Sequence, residues 1–396
     1  MVPQKEVVII GAGVIGCSIA YHLARQGIPS QIIERDAIAA RASGKSWAIW
    51  SYPPHLLTAE RETTRRAFTA PQGSIRHWIE LFWLGYHRLP DIAIELKEKG
   101  GIDIGFGEIP YIFVAESERA EIVSKESLSF LRNEGYYECD WLDADDLRTI
   151  FSDINPNIRG GLRFPYLQVE PYEYTLGLAQ AAEKMGASFR QGDVVGFRHK
   201  GSRVNSVILA SGTEIEADIV VLTMGPWSGQ GTSWLGKEIP IEVHREQCLR
   251  VEVPERLPTY GIWAAEGAIC PKVNGTVILH GFRNLPDYQP EFDSSLTENA
   301  KNASMEAGIS LLPGLEAAKI VEHRGDLEGW APNYMQPVLG LLPKWENAYI
   351  AARMGTYGMM LSLGVGQVMA DIIIRDGHAP DRIKDMMEFL SPARLQ

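Results

Sequence analysis

The sequence predicts an α/β protein in which a parallel, helix-covered sheet is interleaved with a second domain built on an antiparallel sheet. Three observations carry that expectation. The apolar run Val7-Val8-Ile9-Ile10 leads into Gly11-Ala12-Gly13-Val14-Ile15-Gly16 and an apolar helical pattern, and a second run, Ile32-Ile33, ends on Glu34. From Pro240 to Phe282 the chain alternates apolar and polar residues around turns such as Asn274-Gly275, the mark of antiparallel strands. Near the end, Ala348 to Ala352 reads as a buried strand feeding Gly355, Gly358, Gly364 and Gly366 and a helix to Asp376. Elements of the first kind lie at both ends and, through Ile219–Leu222, in the middle, so the domains are discontinuous.

Strand, glycine turn, helix, strand and acid in this order make a Rossmann unit, the device that grips a dinucleotide. Gly11 lets the chain turn, Gly13 lets the backbone approach a pyrophosphate, and Gly16 lets the helix pack closely on the sheet. The free N–H groups of the helix start then face the phosphates. Val14 and Ile15 belong to that start, and Glu34 is placed to accept the hydroxyls of a ribose.

Composition bounds the rest. The chain has 396 residues, 45% hydrophobic and 22% charged, with a net charge of −12. That length suits two domains. The acidic balance, without a long Lys/Arg run, argues against nucleic acid and against an anionic membrane surface. Cys17, Cys139, Cys248 and Cys270 are scattered without metal-ligand spacing and read as reduced thiols, so a cytoplasmic location is expected. No targeting segment, bilayer-length apolar stretch or metal site is expected.

Between the two glycine-rich ends, helical spacing is expected around Ile75, Trp78, Ile79, Phe82 and Trp83, then from Glu118 to Gly135 and from Tyr174 to Met185. Strands are expected at Ile109–Val114, Ser188–Phe197, Val204–Leu209 and Ile219–Leu222. The last stops at Thr223-Met224-Gly225-Pro226-Trp227, at the sheet edge where doubly wound folds bind ligands. A further helix is expected from Leu296 to Leu312.

With these motifs in this order, the chain resembles the FAD-dependent amine and amino-acid oxidoreductases that include D-amino-acid oxidase, glycine oxidase, sarcosine oxidase and dimethylglycine dehydrogenase. The matching residues are the Gly11–Gly16 turn, Glu34-Arg35-Asp36, Ala42-Ser43-Gly44-Lys45-Ser46-Trp47, Val169-Glu170-Pro171, Val220 to Ser228, and the closing Gly355-Thr356-Tyr357-Gly358. The resemblance implies FAD, its ring lying between a nucleotide domain (1–60, 146–228, 323–396) and a substrate domain (61–145, 229–322). It implies that Glu34 and Arg35 hold adenosine, that Ser43, Ser46 and Trp47 lie beside the pyrophosphate and flavin, and that Val194 contacts adenine. Gly225 and Trp227 would lie on the flavin side, and Met354, Gly355, Gly358 and Met359 along the pyrimidine edge.

The departures bear on chemistry. Trp47 is followed by Ala48 where dimethylglycine-dehydrogenase-like members carry a flavin-linking His, and no cysteine follows Cys270, so FAD is expected to be non-covalent. The run Glu328 to Pro337 lacks the Arg that binds a substrate carboxylate in several members. The strand Val277–Gly281 carries His280 where sarcosine oxidase has an oxygen-activating Lys.

Candidate substrate residues follow from chemical type. Arg353, Arg283 and Arg324 are cations near flavin-facing elements, able to bind a carboxylate through two parallel hydrogen bonds. His280 is a candidate base or charge, Tyr357 a further catalytic candidate, and Trp50 and Tyr52 candidate walls for an amine. The expected activity is oxidation of a C–N bond in a small amine or amino acid by hydride transfer to FAD, with hydrolysis of the imine product. The acceptor is oxygen or another oxidant, and homo-oligomerisation is left open. The rivals are a same-fold dehydrogenase of a 2-hydroxy acid or other alcohol, and a non-catalytic FAD-binding subunit.

Overall fold

The computed structural model describes residues 6–54, 74–254, 260–283, 285, 287–332 and 337–395. A six-stranded sheet runs in the order Val338–Leu341, Ala348–Ala352, Ile219–Leu222, Val7–Ile10, Ser30–Glu34, Ser188–Gln191. All its pairings are parallel except that of Val338–Leu341 with Ala348–Ala352. The central strands are unbroken apolar runs because both faces are covered. On one face the helices Val14–Arg25, Pro171–Lys184 and Gly358–Ile374 bury Val7, Ile9 and Tyr349. On the other, a three-stranded sheet from Val194 to Glu216 covers Val8, Ile10 and Val220.

The second sheet has Asp287–Tyr288, Glu242–Glu252, Val277–Gly281, Gly267–Pro271, Gly261–Trp263, Gly107–Val114, Gly160–Gln168 and Ile49–Trp50 in that order. The long strand Lys319–Trp330 lines the other edge of Glu242–Glu252, and Asp140–Asp143 flanks Gly160–Gln168. Its pairings are antiparallel except that of Gly261–Trp263 with Gly107–Val114. The helix Glu298–Leu311 packs on one face. The other face is aromatic, with Tyr111, Phe113, Phe164, Tyr166, Trp47 and Trp263.

This topology moves the expected domain boundaries. Ile49–Trp50, Gly160–Gln168 and Lys319–Trp330 all pair into the second sheet, although the expected segments 1–60, 146–228 and 323–396 placed them wholly or partly in the nucleotide domain. The reason is that each strand connects directly to a nucleotide element, and only long-range pairing shows its allegiance. A second difference concerns hydropathy: the stretch Gly355–Ile374 is long and apolar enough to cross a bilayer by length and composition. It is buried in this fold between the Val14–Arg25 and Ser74–Tyr86 helices, and a Cβ on Gly364 would stand 2.3 Å from the Leu81 carbonyl oxygen.

Candidate functional site

The glycine turn is set by hydrogen bonds that its sequence dictates. Gly11 holds φ +108°, and its N–H donates to the Ile33 carbonyl at 2.8 Å. The Glu34 carboxylate accepts from Ala12 N–H at 2.8 Å and from Asp36 N–H at 2.9 Å, so the acid fixes the turn, and it lines the cleft. Gly13 caps the helix without a side chain, and Val14 N–H donates to Ser43 Oγ at 3.0 Å, tying the 42–46 loop to the helix start. No acid lies in the first turn, leaving its N–H groups suited to an anion.

One cleft runs from this turn to the second sheet. It is lined by Gly11, Gly13, Val14, Ile15, Glu34, Arg35, Ser43, Ser46, Val194, Gly225, Trp227, Met354, Gly355, Gly358 and Met359, which are all but two of the expected cofactor residues. Gly16 lies beneath the turn, and Trp47 packs on the second sheet, 4.5 Å ring to ring from His280. The Arg35 guanidinium stacks 4.1 Å over the Trp227 ring. Trp227 is thereby tied to the end of the second Rossmann strand that carries Arg35. Among the described residues, Ser46 Oγ is buried without a hydrogen-bond partner. An orphaned hydroxyl, a helix start whose N-cap glycine supplies no side-chain cap, and side-chain-free glycines along one cleft fit a pyrophosphate-bearing cofactor such as FAD.

Cations missed by sequence reasoning hold the loop between turn and sheet. Lys272 is buried and donates to the carbonyls of Trp47 at 2.9 Å and Val169 at 2.7 Å, and burial holds its ammonium pKa below the ordinary lysine value. Lys45 pairs with the buried Asp326 at 2.6 Å. In sequence, Lys272 reads as an exposed hairpin residue before Asn274-Gly275, and nothing local signals its burial.

Most expected substrate residues are engaged elsewhere. Trp50 is fully buried against Tyr174, and Tyr52 is packed among Trp83, Tyr86 and Phe164 with its hydroxyl donating to Glu138; neither lines the cleft. Strand alternation turned Trp50 into the helical core. Arg283 is exposed and paired with Glu306 at 2.7 Å and with Glu266. Arg324 donates to the Ser46 carbonyl at 2.8 Å, which makes it a support for the cofactor loop. Arg353 lines the cleft at φ +62°, yet its guanidinium donates to the Pro240 carbonyl, with Nε at 2.6 Å. Tyr357 packs edge-on against Trp78 and Phe82. His280 is buried, and desolvation lowers its pKa to about 3, so it carries no charge at neutral pH and the charged role falls away. Asn333 to Gln336, within the run that departs from the carboxylate-binding pattern, lie outside the described residues.

The paired strands Glu242–Glu252 and Lys319–Trp330 instead present acids on their cleft-side face. Cys248 pairs with Arg324, Glu246 with Asp326 and His244 with Glu328, so these side chains share one face. Asp326 has Lys45. Among the described residues Glu246 and Glu328 have no ion-pair partner, and Glu328 accepts one hydrogen bond, from Trp330 Nε1 at 3.2 Å. Desolvation raises the Glu246 pKa to about 7, and desolvation together with the Glu246 charge holds Glu328 well above the usual carboxylate range.

Known proteins share this architecture. The glycine oxidases of Bacillus licheniformis and Geobacillus kaustophilus are 26% and 24% identical, over 94% and 96% of this chain and 93% and 96% of their own. Crystal structures of Bacillus cereus glycine oxidase and of iminodiacetate oxidase from Chelativorans match with TM-scores of 0.84 and 0.81 at 22% and 21% identity, each covering 98% of both chains. The pattern of the FAD dependent oxidoreductases matches residues 6–372, from the first strand to the last long helix, and the chain belongs to that family.

Proposed function

We propose that this enzyme oxidises a carbon–nitrogen bond of a small amine or amino acid and passes the electrons to oxygen or another acceptor. The observation that carries this reading is the unbroken cleft from the dinucleotide turn to the second sheet, lined at its far end by Glu328 and by Arg353 to Gly355. Relatives named glycine oxidase and iminodiacetate oxidase support it. Bound FAD supplies the two-electron acceptor that takes a hydride from the carbon bearing the nitrogen. The chain's part is to hold and orient. Trp47, Trp263 and Phe282 pack within 6.3 Å of one another ring to ring on the second sheet; the reaction uses the neutral amine, whose lone pair becomes the C=N bond. The Gly358–Ile374 helix starts at the cleft with no acid in its first turn, so its N–H groups favour negative charge there. Water then hydrolyses the imine. Anaerobic mixing tests the reading: the flavin bands bleach with amines or amino acids, whereas bleaching by 2-hydroxy acids alone overturns it.

FAD is expected to be non-covalent. All four cysteines are buried, with thiol pKa values raised chiefly by desolvation, and Ala48 follows Trp47. Acid precipitation should release the yellow colour into the supernatant, and colour kept in the pellet would contradict this. For Glu34→Ala, loss of a charged acceptor costs about 1.5–3 kcal/mol, so FAD affinity should fall roughly 10- to 100-fold. Fluorescence titration of the cofactor measures it.

A further inference from the structure

We propose that Lys272 and Arg324 are positioning residues for the cofactor: from the second sheet they hold the 45–48 segment in a backbone shape it would not keep alone, and so seat Ser46 in the cleft that FAD occupies. The proposal concerns how the cofactor is held and stands whichever substrate the enzyme oxidises. Four consecutive residues of the segment are each bonded to the second sheet or its flanking turns. Lys45 pairs with Asp326 at 2.6 Å, the Ser46 carbonyl accepts from Arg324 at 2.8 Å, the Trp47 carbonyl from Lys272 at 2.9 Å, and the Ala48 carbonyl from Val169 N–H at 3.0 Å. Lys272 also donates to the Val169 carbonyl at 2.7 Å, so one ammonium joins Trp47 to the residue that holds Ala48. On its other side the segment is tied to the dinucleotide turn through Ser43.

Backbone strain is the reason the segment needs holding. Ala48 has φ +54°, in the left-handed region that favours glycine, and any other residue there costs free energy and persists only where its surroundings impose it. Without its anchors the segment would leave that region, and the Ser46–Trp47 and Trp47–Ala48 peptide planes would turn with it. What turns is part of the cleft: Ser46 lines it, and among the described residues its buried Oγ has no hydrogen-bond partner, the mark of a group that a ligand completes. The two cations are only 5% and 6% exposed. A buried ammonium or guanidinium is tolerated where its donors are used, and both direct donors at backbone carbonyls of this segment, in a place where an apolar side chain would pack without any desolvation cost.

Dilution of the purified FAD-loaded protein releases flavin, and the rise in its fluorescence gives the dissociation constant. Lys272→Met and Arg324→Met should each raise that constant roughly tenfold or more, the scale of a lost charge-assisted hydrogen bond. Arg324→Lys keeps one donor for the Ser46 carbonyl and should raise it less than Arg324→Met. Ala48→Gly removes the strain, so by itself it should bind FAD as the parent does, and added to either Met variant it should recover roughly threefold or more of the loss. Arg245→Met is the control: Arg245 is equally buried on the same sheet but bonded to Asp287 and Asp293, so its loss should lower the melting temperature and leave the dissociation constant at the parental value. Should one Met variant not fold, the other carries the comparison. Parental FAD binding in the Met variants overturns the proposal. A loss that Ala48→Gly does not relieve also overturns it, because the cations would then act on the fold at large and not through the 45–48 segment.

Discussion

Gly16→Ala is expected to lose FAD affinity by at least roughly two orders of magnitude and to lower the stability of the fold. A Cβ at position 16 would stand 2.0 Å from the Gly11 carbonyl oxygen and 2.8 Å from Thr223 Oγ1. Neither atom can yield cheaply. The Gly11 carbonyl accepts from Thr223 Oγ1 at 3.1 Å, and the Gly11 N–H is bonded to Ile33. Overpacking costs about 1–3 kcal/mol even where flexible side chains give way, and here the neighbour is backbone. The helix start must therefore move away from the turn, and it carries the cleft-lining N–H groups suited to an anion such as the cofactor's pyrophosphate. Each 1.4 kcal/mol is about tenfold in affinity. Gly196→Ala is the control: among the described residues its Cβ meets nothing within 4 Å, so cofactor content and melting temperature should match the parent. A Gly16→Ala protein that purifies yellow with parental stability would show that the turn tolerates a side chain.

What could be read from the sequence follows the range over which each cause acts. The glycine turn, Glu34 and the buried strands are local: the spacing of Gly11, Gly13 and Gly16 and the apolar run of Val7 to Ile10 specify them within a few residues. The second sheet was legible as antiparallel, but its membership was not, because Gly160–Gln168 and Lys319–Trp330 find partners far away in the chain. The same limit misplaced side chains. Ile49 and Trp50 differ by one position, so alternation sends Ile49 toward the aromatic face of the second sheet and Trp50 into the helical core. Arg353 looked like a free cation beside a glycine turn, and only the fold brings the Pro240 carbonyl to its guanidinium. Glu246 and Glu328 resemble the ordinary solvent-facing acids of alternating strands. Their desolvation comes from the pairing of Glu242–Glu252 with Lys319–Trp330 and what packs on that face, which no local pattern reports.

Glu246→Gln is expected to stabilise the purified protein at pH 8 and to change it little at pH 5. In the folded state burial raises the Glu246 pKa to about 7, against 4.5 for the ordinary side chain. A group whose folded pKa is raised holds its proton better in the folded state. For an acid this means that folding is penalised as pH rises, beginning near 4.5 where the unfolded chain ionises and reaching its full extent near 7 where the folded carboxyl must ionise as well. Glutamine mimics the protonated form and removes the penalty. Each tenfold difference in proton affinity between the folded and unfolded chain is worth about 1.4 kcal/mol, so the gain is on the order of 3 kcal/mol at pH 8 and under about 1 kcal/mol at pH 5. The buried histidines act in the opposite direction: desolvation lowers His22 to about 4 and His280 to about 3, so both cost stability as pH falls below 6.5. Because parent and variant share them, they cancel in the difference at each pH. Urea unfolding of the two proteins at pH 5 and pH 8 measures that difference directly. A gain that is equal at both pH values would mean that Glu246 ionises normally, and a loss at pH 8 would mean that a cation already neutralises it.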